Sequence, residues 1–262
     1  MHVLIDGVEV DPATATISVL DLGLVRGIGV FEAIKVYDGH PFTLGPHLDR
    51  LARSAAANGT PLAPRDRLEA WCREAARLGG NAILRVLATP GGPDAGIAPP
   101  RTVVLVEDLP DLPTTFRLGT VVAPWHPAGA MWGLAGAKTL SYGPNMHATD
   151  EARSAGYDDA LLLSADGIVL EGPTASVGWV TDGAIVFPSL DLGVLASVTR
   201  IVAEELAAEA GYPVVHGRFT LDELHTADEV LVLSTVKEVA PVVAIDDWHI
   251  PSGPVAAELA RR

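Results

Sequence analysis

Lysine is scarce in this chain, and one of the three lysines has neighbours that suit chemistry. Lys35 lies in an alternating apolar and polar segment and Lys237 in a short polar segment, so we expect both in solvent. Lys138 instead stands among small and apolar residues in Gly133–Tyr142, with no acidic neighbour in the sequence. Such surroundings disfavour a charged ammonium and free the neutral amine. The sequence therefore predicts Lys138 as a nucleophile or a base.

A second candidate is the carboxylate of Glu171. The turn Asp166-Gly167 and a short apolar segment precede it, and Gly172-Pro173 follows it, which predicts a position at the end of a strand. A solvated loop carboxylate is the ordinary alternative. If the group is buried, it must be paired with a proton or a cation. The ring nitrogen of a heterocyclic cofactor is one such partner.

A helix predicted to begin near Val198 is a candidate anion site. Its first N–H groups lack partners within the helix and lie at the positive end of the helix dipole. Thr199 could add a hydroxyl donor, whereas Ser197 and Thr199 could also serve only as helix caps. Arg50, in His47-Leu-Asp-Arg-Leu, is by itself an ordinary residue of a helix surface.

The composition excludes several classes of protein. Of 262 residues, 48% are hydrophobic and 19% charged, which is typical of a globular protein rather than a disordered one. The net charge of −15 argues against nucleic acid or an anionic membrane as the main partner. A single cysteine, Cys72, excludes an intrachain disulfide and a multi-cysteine metal site. The N-terminus lacks the pattern of a signal peptide and no apolar run reaches about 18 residues, so we expect a cytoplasmic protein.

The first half of the chain is predicted to form a sheet with two helices. Asp6-Gly7 between two short apolar segments indicates a hairpin with a type I′ turn. The spacing of Leu48 and Leu51 predicts a helix over 45–58, and a second helix is expected over 64–78. The predicted strands are residues 3–5, 8–10, 31–37, 82–88 and 102–107.

The second half has the same mixed pattern. Helices are predicted over 145–156 and 197–210, the latter ending at Gly211. The predicted strands are residues 116–122, 159–163, 177–181, 184–187, 214–215, 229–233 and 242–245. The glycine- and proline-rich stretch 123–136 suits a connection between two packed units. We therefore expect a two-domain α/β (α+β) protein, with a small N-terminal domain over 1–119 and a larger C-terminal domain over 120–262 that contains Lys138.

Taken in order, these segments resemble class IV (fold type IV) pyridoxal-phosphate aminotransferases. This family includes branched-chain and D-amino-acid aminotransferases, (R)-amine transaminases and aminodeoxychorismate lyase. The resemblance runs from Asp21 to Asp246. Its motifs are Arg26–Gly39, His47–Leu51, Asn81–Arg85, Lys138–Asn145, Gly156–Leu163, Glu171–Thr174, Val198–Arg200, Ala227–Val230 and Ser234–Val242.

The resemblance implies a role for each matching residue toward pyridoxal 5′-phosphate. Lys138 is the lysine that forms the Schiff base and carries the proton, and Glu171 pairs with the pyridine nitrogen. The phosphate is bound by Arg50, by the backbone N–H groups of Val198 and Thr199, and by the hydroxyls of Thr199 and Thr235. Leu195 matches the aliphatic residue against the cofactor ring. The substrate-binding positions are Phe31, Arg85 and Val236, with a structural arginine that faces away from the site as the alternative for Arg85.

The sequence departs from the family pattern at several positions. Ala175, Ser176 and Gly178 follow Glu171-Gly-Pro-Thr in place of the more usual residues, and Ser197 stands where a glycine is common. Tyr142 lies one residue before the position of a cofactor-contacting tyrosine, so its role stays open. Neither the residues after Glu171-Gly-Pro-Thr nor Ser197 removes a residue that touches the cofactor directly.

The resemblance leaves the reaction and the substrate partly open. An aminotransferase acting on an amino acid or an (R)-amine and a 2-oxo acid is the leading hypothesis, and a lyase that releases pyruvate from aminodeoxychorismate is the alternative. A cofactor-free binding module is a remote third hypothesis. The loop 89–100 lacks the arginine–histidine pair of D-amino-acid aminotransferases, which predicts poor use of D-glutamate and D-aspartate. A homodimer is expected from the family.

Overall fold

The computed structural model describes all 262 residues, and they form two compact units. Unit 1 comprises residues 1–111 and 137–141, and unit 2 comprises residues 112–136 and 142–262. This division differs from the expected boundary after residue 119, because the strand Phe116–Val122 pairs within the sheet of unit 2. Lys138, expected in the C-terminal domain, belongs to the short segment that pairs with unit 1.

Unit 1 is built on an antiparallel sheet of six strands in the order β2-β1-β6-β5-β3-β4. The predicted hairpin is confirmed, since Asp6 and Gly7 have φ values of 51° and 83° and β1 pairs with β2. The strands are β1 (His2–Ile5), β2 (Val8–Val10), β3 (Val30–Tyr37), β4 (His40–Pro41), β5 (Ala82–Thr89) and β6 (Arg101–Glu107).

Three helices accompany this sheet: α1 (Leu22–Arg26), α2 (Leu44–Asn58) and α3 (Arg65–Gly79). The two long ones cover a single face, because alternate residues of β3 and β5 point toward them and are buried. The core of unit 1 is formed by apolar residues such as Ile34, Leu48, Leu51, Leu68, Cys72, Leu84 and Val86. The other set of alternating residues, which includes Phe31 and Arg85, therefore lies on the opposite face of the sheet.

Unit 2 contains an eight-stranded mixed sheet in the order β11-β10-β9-β12-β13-β7-β8, with β14 paired to β13. Its strands are β7 (Phe116–Val122), β8 (Asp159–Leu163), β9 (Ser176–Thr181), β10 (Ala184–Pro188), β11 (Val214–Gly217), β12 (Glu229–Ser234), β13 (Glu238–Ile245) and β14 (Trp248–His249). Parallel pairs join β7 to β8, β7 to β13 and β10 to β11.

The helices of unit 2 are α4 (Gly143–Ser154), α5 (Val198–Glu209), α6 (Leu221–Leu224) and α7 (Pro254–Arg261). Helices α5 and α7 share a core with β9, β10 and β12, to which Ala203, Ala207, Val255 and Leu259 contribute. The mixed α/β prediction is confirmed by these two units. None of the seven helices has the length and apolar composition required to cross a bilayer.

Candidate functional site

Lys138 is held in unit 1 by hydrogen bonds of its backbone. Its N–H donates to the Ser54 hydroxyl on α2 (3.0 Å), and its carbonyl oxygen accepts from the N–H of Phe31 on β3 (3.1 Å). Two residues later the N–H of Leu140 donates to the carbonyl of Gly29 (2.9 Å). The lysine segment is therefore paired like a short strand against the first residues of β3.

This close pairing requires a glycine at position 29. Gly29 has a φ of 154°, and a Cβ atom there would lie 2.5 Å from the Leu140 side chain and 2.6 Å from the carbonyl oxygen of Ala88. Both distances are shorter than any normal contact. A side chain at position 29 would collide with the Ala88 carbonyl of β5 and with the Leu140 side chain of the lysine segment.

The side chain of Lys138 extends over an aromatic ring. Its Nζ lies 4.2 Å from the centroid of the Phe31 ring, within the range of a cation–π contact. Phe31 follows Val30, where the lysine segment bridges to β3. Two of the predicted site residues, Lys138 and Phe31, are thus brought together within unit 1.

Arg50 is buried rather than on a helix surface, and it belongs to an ionic cluster that sequence reasoning missed. Its guanidinium makes two hydrogen bonds of 2.7 Å to the carboxylate of Glu32 on β3. His47, one turn earlier on α2, donates from Nδ1 to the same carboxylate (2.8 Å). The sequence does contain a signal for this cluster, because Glu32 alternates with Val30 and Ile34 on the apolar face of β3. A carboxylate on that face must be paired, which predicts a basic partner nearby.

The cluster shifts the pKa values of its members. Burial alone would raise the pKa of Glu32, but the hydrogen bonds from Arg50 and His47 outweigh it and lower the pKa to about 2. Burial lowers the pKa of His47 more than the Glu32 carboxylate raises it. Glu32 is therefore ionised and His47 neutral near pH 7, and Arg50 is fixed in one orientation by the carboxylate.

Arg85 lies on the same sheet face as Phe31 but already has an acidic partner. Its Nε donates to the carboxylate of Glu107 on β6, and the Arg85 side chain is 38% exposed. Leu105 is directly opposite Arg85 in the ladder, which places Glu107 diagonally across it. Arg85 therefore carries less free positive charge than the sequence predicted.

Glu171 in unit 2 is a largely buried carboxylate, with 14% of its side chain exposed. Its two oxygens accept from the backbone N–H of Leu195 (3.3 and 3.1 Å). His126 Nδ1 accepts from the N–H of Ala128, so Nε2 carries the hydrogen and donates weakly to Glu171 over 3.4 Å. His126 was not singled out in the sequence. Within unit 2 the carboxylate thus accepts from the Leu195 N–H and the His126 ring.

The helix start that was predicted as an anion site begins three residues after Leu195. Ser197 caps α5, since its hydroxyl accepts from the N–H of Arg200 (3.3 Å). The first two residues of the helix, Val198 and Thr199, have N–H groups with no partner inside it. One short segment, 195–199, therefore presents both the donor to Glu171 and an anion-binding helix end.

Thr235 and Val236 form the turn between β12 and β13, and Lys237 closes it. The expectation that Lys237 is solvated was wrong: only 8% of its side chain is exposed, and its Nζ donates to Asp159 (2.7 Å). The ammonium is desolvated here because the carboxylate compensates it. Thr174 accepts a second hydrogen bond from the same Nζ (3.0 Å).

Tyr142 and Asp94, which lies in the loop 89–100, have local partners. The hydroxyl of Tyr142 donates to the carbonyl of Pro173 (2.5 Å), which also accepts from Asn145 (3.1 Å). Asp94 is exposed, and its carboxylate accepts from the N–H of Gly96 within its own loop (2.8 Å). Tyr142 thus supports the loop that carries Glu171.

The donors of unit 2 fit a ligand that carries both a phosphate and a ring nitrogen able to hold a proton. The first N–H groups of α5 suit the phosphate. A buried carboxylate with neutral donors is stabilised by a cation, and a protonated pyridine nitrogen supplies one. In unit 1, the amine of Lys138 is a nucleophile suited to a carbonyl carbon, which is the chemistry required by pyridoxal 5′-phosphate.

Comparisons with known proteins match the chain to one family. The family model described as class IV amino-transferase matches residues 29–245. The chain is 34% identical to a putative branched-chain-amino-acid aminotransferase of Methanocaldococcus jannaschii, covering 94% of this chain and 88% of that protein. It is 29% identical to a bifunctional aminodeoxychorismate lyase and D-amino acid transaminase of Mycobacterium tuberculosis, covering 99% and 96%.

Solved structures show the same fold. A fold IV transaminase from Curtobacterium pusillum superposes with a TM-score of 0.90 at 33% identity, covering 100% of this chain and 98% of that one. The pyridoxal-phosphate-bound form of a hypothetical aminotransferase from Mycobacterium tuberculosis has a TM-score of 0.91 at 28% identity, with coverage of 100% and 96%. The chain therefore has the fold type IV architecture.

Proposed function

Because the chain belongs to the class IV aminotransferase family and is a pyridoxal-phosphate-dependent transaminase, we propose that it moves an amino group between an amino acid or (R)-amine and a 2-oxo acid. The observation that carries this proposal is the fixed position of Lys138. Its backbone is bonded on both sides and its amine lies over Phe31, while Lys237 is engaged with Asp159.

Lys138 and Arg50 are the contributions of unit 1 to the reaction. Bound pyridoxal phosphate supplies an electron sink that stabilises the negative charge left when the substrate Cα loses its proton. With the cofactor bound, the Lys138 amine would hold the proton taken from the substrate Cα. Arg50, whose guanidinium is oriented by two hydrogen bonds to Glu32, is the cationic donor for the phosphate.

The residues of unit 2 hold the rest of the cofactor. Glu171, kept in place by the N–H of Leu195, keeps a proton on the pyridine nitrogen. The N–H groups of Val198 and Thr199, with the hydroxyls of Thr199 and Thr235, donate to the phosphate. The aliphatic side chain of Leu195 would contact the ring of the bound cofactor.

Phe31, Arg85 and Val236 are proposed to contact the substrate. Phe31 offers an apolar wall without a hydroxyl group. The backbone N–H groups near Val236 can donate to a carboxylate, and Arg85 can offer those N–H groups that Glu107 does not engage. This set favours amino donors with one carboxylate and an apolar side chain, or simple (R)-amines.

The experiment that tests the function is a panel of amino donors, each mixed with the yellow holoenzyme in single turnover. A transaminase loses its visible absorption band with amino donors and regains it when a 2-oxo acid is added. Recovery of the band by 2-oxo acids supports the proposal. No loss of the band with any amino acid or (R)-amine would reject it.

The lyase remains the second candidate, because one relative combines aminodeoxychorismate lyase and D-amino acid transaminase activities. A lyase releases pyruvate from aminodeoxychorismate without any amino acceptor. Pyruvate formed faster than the amino-group exchange of the best donor would favour the lyase.

We also propose a homodimer that acts in the cytoplasm. The support for the dimer is a group of exposed apolar residues around α1, namely Val19, Leu20, Leu24 and Val25. Light scattering after size exclusion, for the parent and for Leu24→Glu, measures this: the parent is expected at twice the chain mass and the variant at lower mass. Cell fractionation tests the location.

A further inference from the structure

The buried ion pair of Lys237 and Asp159 has no part in the chemistry described above. Lys237 Nζ lies 2.7 Å from Asp159 Oδ2 and 5.5 Å from the centroid of the Phe116 ring. The two side chains are 8% and 7% exposed. A pair removed from water to this extent is retained only when its remaining hydrogen-bonding groups are satisfied.

The second oxygen of Asp159 is satisfied by its neighbours. Oδ1 accepts from the Thr149 hydroxyl on α4 and from the N–H of Ala160, both at 2.9 Å. Asp159 is the first residue of β8, so the carboxylate is anchored to a strand and a helix. It therefore offers a rigid acceptor to the ammonium of Lys237.

Lys237 connects the Asp159 carboxylate to two loops. The residue closes the turn that carries Thr235 and Val236, where its own N–H donates to the Ser234 hydroxyl (3.1 Å). Its Nζ also donates to the hydroxyl of Thr174 (3.0 Å), three residues after Glu171. The single ammonium thus joins the turn of Thr235 to the loop of Glu171.

The loop of Glu171 is compact enough to transmit this restraint. The N–H of Gly172 donates to the carbonyl of Ala175 (2.7 Å), which closes the loop on itself. Tyr142 and Asn145 hold the carbonyl of Pro173 from the other side. A displacement of Thr174 therefore also displaces Glu171.

We propose that Lys237 is a positioning residue that fixes the distance between the phosphate-binding turn at Thr235 and the ring-binding carboxylate of Glu171. The inference rests on the proposed roles of Thr235 and Glu171. A cofactor that carries its phosphate and its ring nitrogen on one rigid frame binds well only when both receptors are at the correct separation.

The test uses the charge-compensated variant Lys237→Met/Asp159→Asn. The amide that replaces the Asp159 carboxylate still accepts from Thr149 and leaves no unpaired buried charge, so the Tm of the apo-protein is expected within about 4 °C of the parent. Three probes are titrated into both apo-proteins. Pyridoxamine 5′-phosphate can bind both the turn at Thr235 and the Glu171 carboxylate, inorganic phosphate only the turn, and pyridoxamine only the carboxylate.

The variant is expected to bind pyridoxamine 5′-phosphate about tenfold more weakly, the size of effect that partners of ligand residues have at metal sites. Its affinities for inorganic phosphate and for pyridoxamine are expected to stay unchanged. Unchanged affinity for pyridoxamine 5′-phosphate would overturn the proposal. An equal loss for inorganic phosphate would do so too, because it indicates local damage to the turn.

Two variants of Thr174 test the proposal independently of the double variant. Thr174→Val removes only the hydroxyl that accepts from Lys237, and it is expected to lower the affinity for pyridoxamine 5′-phosphate by a few-fold. Thr174→Ser keeps the hydroxyl and is expected to retain the affinity of the parent. If the double variant does not fold, this pair decides. If Thr235→Val and Glu171→Gln both bind pyridoxamine 5′-phosphate as the parent does, the roles assigned above fail, and the positioning role fails with them.

Discussion

The N–H of Phe31 donates a hydrogen bond to the carbonyl oxygen of Lys138, and the Lys138 amine lies 4.2 Å from the centroid of the Phe31 ring. The same residue of β3 thus positions both the backbone and the side chain of the lysine. Gly29 permits this approach, because a Cβ atom there would collide with Leu140. The position of the amine is therefore a property of the sheet of unit 1.

Lys138→Ala is expected to fold, because the anchoring bonds come from the backbone, and to lose turnover completely. No other lysine can replace it: Lys237 is engaged with Asp159. Borohydride treatment followed by mass spectrometry measures the covalent link to the cofactor, with Lys35→Ala as the control that keeps it. A reducible link that survives in Lys138→Ala would contradict the assignment.

Arg50 is expected to contribute more to cofactor affinity than Thr199. A hydrogen bond to a charged group contributes about 1.5–3 kcal/mol and a neutral one about 1, so Arg50→Ala should weaken binding several-fold more than Thr199→Ala. Loss of Arg50 alone leaves the buried Glu32 carboxylate unpaired, at a cost of about 3–5 kcal/mol in stability.

The comparison is therefore made with Glu32→Gln present in both proteins, which removes the unpaired charge. Titration of the apo-proteins with cofactor measures the two affinities. Equal affinities for the Arg50→Ala and Thr199→Ala versions would show that the guanidinium does not bind the phosphate.

The Glu32–His47–Arg50 cluster predicts a loss of stability in acid. Because burial lowers the pKa of His47 below its ordinary 6.5, the unfolded chain binds a proton more readily, and stability falls as the pH drops below 6.5. The pKa of Glu32, held at about 2 against an ordinary 4.5, adds a further loss between pH 4.5 and 2.

Urea unfolding of the holoenzyme at about pH 7.5 and about pH 5.5 measures the His47 contribution. The parent is expected to lose more unfolding free energy across this interval than His47→Gln, which has no group there to titrate. If His47→Gln instead lost more unfolding free energy than the parent between these pH values, His47 would be protonated in the folded protein.

D-Glutamate and D-aspartate are expected to be poor donors. The loop 89–100 has no basic residue, Asp94 in it is bound to its own backbone, and Arg85 is paired with Glu107. A second carboxylate would be desolvated without a matched cation. Half-reaction rates across the donor panel measure this, and D-glutamate as the best donor would refute it.

Glu107→Gln is expected to widen the substrate range. The change removes the negative charge that compensates the Arg85 guanidinium, so kcat/KM for donors with a second carboxylate should rise by up to about tenfold relative to apolar donors. Glu9→Gln, an exposed carboxylate on β2, is the matched control. If Glu107→Gln leaves the ratio of the two donor classes unchanged, Arg85 does not face the substrate.

Much of the fold could be predicted because hydrophobic periodicity is local. The strands Phe116–Val122 and Asp159–Leu163 have the predicted bounds. The short α1 and α6 were missed, since four or five residues carry too little periodicity to stand out. The C-terminal helix α7 was also missed, although Val255, Ala256 and Leu259 have helical spacing.

The partners of the candidate residues could not be predicted in the same way. Glu32 meets Arg50 across 18 positions of sequence and Lys237 meets Asp159 across 78, and no local pattern encodes such pairs. Lys237 was expected in solvent because exposure is the ordinary state of lysine, which a distant carboxylate here reverses.

The return of residues 137–141 to unit 1 has a consequence for how the protein is made and divided. During synthesis, the sheet that receives the lysine is complete about thirty residues before Lys138 is added, so it emerges with the N–H of Phe31 and the carbonyl of Gly29 still facing water. A fragment ending at Asp111 would contain the sheet of unit 1 but not the lysine segment that pairs with it. The complementary piece, which begins at Leu112, would supply residues 137–141 together with unit 2.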